Sequence, residues 1–162
     1  MRIGEYQKCI DANQFIADKT GTLDPAVDKS IEKAQCAIMQ EQVDAILAEN
    51  KPGAKEEADK IIAQIYNYRL ERYEERVKLY PQDLQLRYEL AELYWEGKNI
   101  DKAMEQFQIA QRNPQKRLLA IVYLGRCFHE KGQDDMAIAQ FTKAISEMPV
   151  MDKVRMNTLY HM

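Results

Sequence analysis

At 162 residues, 46% hydrophobic and 30% charged, the chain is long enough for one domain with a real core and suits a soluble helical protein. Six glycines and five prolines are too few for an all-β fold rich in turns. A formal charge of −3 gives no global positive field for nucleic acid, and no run of about 18 apolar residues is present to cross a membrane.

The opening MRIGEYQKC has no apolar core and no small-residue cleavage site, so it does not read as a signal peptide. Tyr6, Cys9, Ile10, Phe15 and Ile16 make a loose helical stripe over 5–18. Gly21 can end that helix, Asp24 can cap the next, and Pro25 fits its first turn. The second helix is predicted over 25–48, with Val27, Ile31, Ala34, Ile38, Val43, Ile46 and Leu47 at steps of three and four. Asn50-Lys51-Pro52-Gly53 breaks it.

A long third helix is predicted over 55–79, with Ala58, Ile61, Ile62, Ile65, Tyr66, Tyr73 and Val77 as its stripe. Its second half, RLERYEERVK, is dense in both charges. The expectation there is a solvated face laced by pairs one turn apart, not a nucleic-acid patch, because carboxylates largely cancel cations. Pro81 stops the helix, and helices follow over 83–96, 101–112, 116–130 and 134–147. A last helix is expected from Asp152 to Met162.

The strongest signal is a repeat. Ala103, Phe107 and Ala110 recur 34 residues later as Ala137, Phe141 and Ala144. Leu90, Ala91 and Tyr94 recur at the same spacing as Leu124, Gly125 and Phe128. Small residues at fixed offsets let two helices cross closely, and aromatics fill the space between successive hairpins. Burial of each such ring contributes about 1.5–3 kcal/mol.

With Pro149 closing the second copy, these residues resemble the tetratricopeptide repeat. The match is close over 118–149 and looser over 84–115, where Ala91 replaces the preferred glycine and Gly97 and Pro114 fall one residue early. The resemblance implies a right-handed superhelical all-α array of helix-turn-helix hairpins. Residues 1–54 would be a helical extension, expected to be a divergent repeat. Residues 55–82 would be a long helix ending in a degenerate repeat half, 83–149 two hairpins, and 150–162 the start of a further repeat helix. An array that breaks off in this way suggests a fragment of a longer bacterial multi-repeat protein.

No catalytic constellation, metal cluster or cofactor motif appears in the sequence, so none is expected. Cys9, Cys36 and Cys127 are widely spaced and read as free thiols, which favours a reducing compartment, the cytoplasm. Asp134-Asp135 is expected to cap a helix, and His129 to be a surface residue beside Glu130.

Trp95 is the residue to single out. Tyr94 faces the core, so Trp95 points about 100° away, toward the wall that first helices form in the resembled family. Tyr88, Glu92, Glu96, Arg126 and His129 are expected on the same groove, with Gln85, Glu89, Val122, Tyr123, Glu130 and Tyr160 nearby. There Trp95 would anchor a protein or peptide; the competing expectation is that it packs on the long third helix or the N-terminal helices. Some relatives of the resembled family clamp a C-terminal carboxylate with cations. Here those places hold Tyr88, Glu92 and Tyr123, with Arg126 the one cation, so a basic or aromatic partner is expected instead. The leading function is a non-catalytic interaction scaffold. The alternative is a structural module that self-assembles through the open edge of the repeats.

Overall fold

The computed structural model describes residues 2–20 and 24–148. Seven helices and no strand occur among the described residues, so the chain is all-α. They are α1 (Arg2–Thr20), α2 (Pro25–Ala48), α3 (Ala54–Leu79), α4 (Leu84–Glu96), α5 (Ile100–Ala110), α6 (Arg117–Glu130) and α7 (Asp134–Glu147). The expected helix over 152–162, and Tyr160 with it, lies outside the described residues. The chain divides into an N-terminal unit, Met1–Arg76, and a C-terminal unit, Val77–Met162.

In the N-terminal unit α1 packs against α2. Asp24 caps α2 by accepting from the Ala26 amide at 2.7 Å, and Pro25 sits in the first turn as expected. Between α1 and α2, Asn13 Nδ2 donates to Ser30 Oγ at 3.2 Å and to the Cys9 carbonyl at 2.8 Å. Ala34, Ile38, Val43, Ala54 and Ala58 are buried.

The charged second half of α3 is not the solvated face expected of it. Arg76 is only 2% exposed, and so is Asp28; Glu32 is 5% exposed. Arg76 donates to Asp28 through Nε and to Glu32 through Nη1 at 2.5 Å, while Arg72 donates to Asp28. The reason is matched spacing. Asp28 and Glu32 lie one turn apart on α2, as Arg72 and Arg76 do on α3, so two carboxylates meet two guanidiniums in register. The solvated reading holds for Glu75, which pairs with Arg72 at 2.6 Å on the surface. Arg76 also lies over the Tyr73 ring, 4.7 Å from its centroid.

In the C-terminal unit α4 packs on α5, α5 on α6 and α6 on α7. Asp83 caps α4 through the amides of Gln85 and Leu86. The two helix-to-helix turns repeat bond for bond. The Lys98 amide donates to Trp95 O at 3.1 Å and the Asn99 amide to Tyr94 O at 2.8 Å. Thirty-four residues on, Gly132 donates to His129 O at 2.8 Å and Gln133 to Phe128 O at 2.9 Å. Each pair of bonds is a Schellman motif, which needs one residue at positive φ. Gly132 fills that place at φ 71°, but in the first turn it is Lys98, at φ 59°. Gly97 stands one place too early and has φ −79°. A side chain there costs about 1–2 kcal/mol that glycine avoids.

The second hairpin departs from expectation at its cap. Gln133 occupies the N-cap of α7 and makes no side-chain cap bond. Asp134 instead lies in the first turn and reaches His129 Nδ1 at 2.7 Å.

The repeated packing set is buried almost throughout. Ala91, Ala103, Phe107 and Ala110 are fully enclosed, and Leu90, Tyr94, Leu124, Gly125, Phe128, Ala137 and Ala144 are buried. Phe141 is half-buried. A Cβ at Gly125 would lie 2.6 Å from Phe141 Cε1, so the missing side chain is what lets α6 and α7 approach at this point. Ala91 and Phe107 hold the same two places in the first hairpin.

Candidate functional site: an aromatic and charged face on α4 and α6

Tyr123, on α6, is the hub of a ring cluster. It stacks on Phe107 with centroids 4.7 Å apart and planes 7° apart. It meets Trp95 edge-on at 5.9 Å and Tyr88 edge-on at 6.3 Å. Tyr88 also meets Phe107 edge-on at 5.7 Å. Such offset and edge-on pairs each contribute about 0.5–1.5 kcal/mol beyond their buried area. The cluster therefore ties the first helix of one hairpin to the first helix of the next.

Of the residues expected to line a groove, this geometry brings Tyr88, Glu92, Trp95, Glu96 and Arg126 together. Tyr88 is the floor, only 2% exposed, and not a surface anchor. Its ring is enclosed because Phe107 and Tyr123 cover its edges and Lys116 lies over it at 5.0 Å. Trp95 and Glu92 are half-buried, while Glu96 and Arg126 are exposed. His129 is exposed and turned to Asp134, so it serves the α6–α7 connection.

The acidic cast expected from Glu89, Glu92 and Glu96 is offset by cations seated on the rings. Lys98 lies over Trp95 at 5.6 Å, Arg126 over Tyr123 at 5.3 Å, and Lys116 over Tyr88. Glu92 accepts a hydrogen bond from the Tyr88 hydroxyl. Burial raises the Glu92 pKa above the usual carboxyl range, and Glu96 and Glu89 add to this; the Tyr88 hydroxyl and Lys116 oppose it without cancelling it. Burial and then the Glu92 charge also raise the Tyr88 and Tyr123 phenols, which stay neutral at physiological pH.

Sequence reasoning placed Tyr123 only as a neighbour. Its repeat counterpart is Glu89, so the 34-residue pattern carries no sign of it. The same is true of the whole face: Trp95 corresponds to His129, Glu92 to Arg126 and Tyr88 to Val122. The packing set repeats, and the face does not.

Elsewhere, a cleft of about 430 Å³ between α2 and α3 is bordered by Glu32, Cys36, Arg69 and Tyr73. Burial and then Glu32 raise the Cys36 thiol, and burial pushes Cys127 up to about 11, so both are held as thiols at neutral pH. Among the described residues no group of three or more His, Cys, Asp or Glu could hold a metal ion. No helix among them is long and apolar enough to cross a membrane. No family model matches the chain, and no curated protein matches it.

Proposed function

We propose that the chain is a tetratricopeptide-like scaffold that binds a peptide or protein surface on the α4–α6 face and performs no chemistry itself. The observation that carries this reading is the ring cluster of Trp95, Tyr123 and Tyr88 with its cations and carboxylates. It is a preformed, rigid, amphipathic surface, and aromatic and arginine residues in such a setting anchor partners well. Its two helices lead successive hairpins with matching turns and a 34-residue packing register, which supports the family resemblance. In an array of that kind these helices would line the concave side. The mixed charge suits a partner segment with an aromatic or aliphatic anchor flanked by both signs.

Trp95 is the sole tryptophan, so its emission reports on this face without a label. Peptides from a displayed random library that bind here should shift that emission and lose affinity on Trp95→Ala. A library that yields no binder sensitive to Trp95→Ala contradicts the reading.

One observation favours the alternative of self-assembly. α7 turns Ile138 and Ile145 outward, at 62% and 49% exposure, on the side of half-buried Phe141. Light scattering that shows a dimer lost on Ile138→Glu would favour it; a monomer at all concentrations would remove it.

A further inference from the structure

A second surface lies on other residues. Between α5 and α7, above α6, runs a cleft of about 530 Å³, within the range of ligand-binding pockets. Its floor is apolar: Ile109, Leu124, Phe128 and Met136. Met136 is 49% exposed, an adaptable thioether held at the surface. Its rim holds two cations, Arg112 and Lys143, and three glutamines. Lys143 leans across toward α5, its ammonium 3.4 Å from Gln111 Oε1.

The lining contains no carboxylate, in a chain whose net charge is −3. Glu105 and Asp135 lie outside the lining. Glu147, one turn beyond Lys143, is held by Arg117 through two bonds of 2.8 Å. Glu147 still feels the Lys143 charge from outside the cleft, but the lining itself sets two cations and no carboxylate beside apolar side chains. We infer that it is a docking site for an acidic amphipathic segment of a partner protein, with an aliphatic or aromatic side chain against Met136 and Phe128 and carboxylates toward Arg112 and Lys143. A helix laid in a groove fits this combination, with apolar anchors on one face and acids flanking them. The charge rim steers encounter and excludes basic segments more than it adds affinity.

The test uses the full chain and a displayed library of random peptides. Binders should be enriched in Asp and Glu beside Leu, Ile, Phe or Met. Their affinity should fall about tenfold on Arg112→Glu with Lys143→Glu, and less on the milder Arg112→Gln with Lys143→Gln. It should weaken as salt is raised and be untouched by Trp95→Ala, which separates this site from the α4–α6 face. An unchanged melting temperature confirms that each variant is folded. The inference is overturned if no binder appears, if binders show no acidic bias, or if they survive the double reversal. It is also overturned if sedimentation shows a second copy of the chain filling the cleft, as a dimer lost on the same reversal.

Discussion

In the N-terminal unit α2 and α3 are joined by Asp28, Glu32, Arg72 and Arg76, whereas α4 to α7 are joined by alanines, one glycine and aromatic rings. Both solutions bury a contact, but they differ in what a substitution leaves behind. Removing a ring leaves a cavity; removing one member of a buried ion pair leaves a charge without its partner. The ionic solution is directional and depends on two helices being in register. The apolar one tolerates drift, and here its precision comes from small residues where helices cross.

That contrast can be broken from either side. The largest effects are expected at Phe107→Ala and Asp28→Ala, each about 3–5 kcal/mol in urea unfolding followed by circular dichroism. The two should then part. Replacing Asp28, Glu32, Arg72 and Arg76 together with apolar residues of similar volume should recover most of the Asp28→Ala loss, since a well-packed apolar contact can equal a buried ion pair. A combined variant as unstable as Asp28→Ala would show that these charges do more than satisfy one another.

Gly125→Ala is expected to cost about 1–3 kcal/mol, because its new methyl meets the Phe141 ring. A melting temperature equal to that of the parent would count against the close approach. Lys98→Gly should stabilise the first hairpin by up to about 1 kcal/mol by relieving the positive φ, although it removes a cation from Trp95. Thermal melts would show the sign.

The smallest expected effect is at Glu92. Its folded pKa is raised, so the native state holds that proton more tightly than the unfolded chain does. The associated stability is present below the ordinary glutamate pKa and is lost as pH rises through the folded value. Glu92→Gln should therefore stabilise the chain at neutral pH, and the gain should shrink on acidification into the usual carboxyl range. Denaturant midpoints taken across that interval check it; a constant difference would show that Glu92 does not titrate differently on folding.

The legible part of the fold was local. Pro25 and Asp24 marked the start of α2, Pro81 the end of α3, and the apolar periodicity gave helix bounds within a few residues. The buried character of the alanines and aromatics from Leu90 to Ala144 could be read because the same choice is made twice. What was not legible depends on residues far apart in the chain. Arg72 and Arg76 meet Asp28 across 44 and 48 residues, and nothing in RLERYEERVK marks which of its charges turns inward. The available signal was slight: Asp28 and Glu32 lie one turn apart on α2, beside the stripe of Val27, Ile31, Ala34 and Ile38, at the same spacing as Arg72 and Arg76 on α3. At the candidate site Trp95 stood out by its type, but Tyr123 became central only through rings from two other helices. The early Gly97 marked the first turn as irregular, but nothing in the sequence showed that Lys98 takes the positive φ there.

The close approach of α6 and α7 depends on the missing side chain at Gly125. A double-mutant cycle between Gly125→Ala and Phe141→Leu tests this directly, because the added methyl and the ring occupy the same space. The account predicts that Phe141→Leu relieves much of the Gly125→Ala penalty, with a coupling of about 1 kcal/mol or more. Additive effects, within about 0.5 kcal/mol, would contradict it.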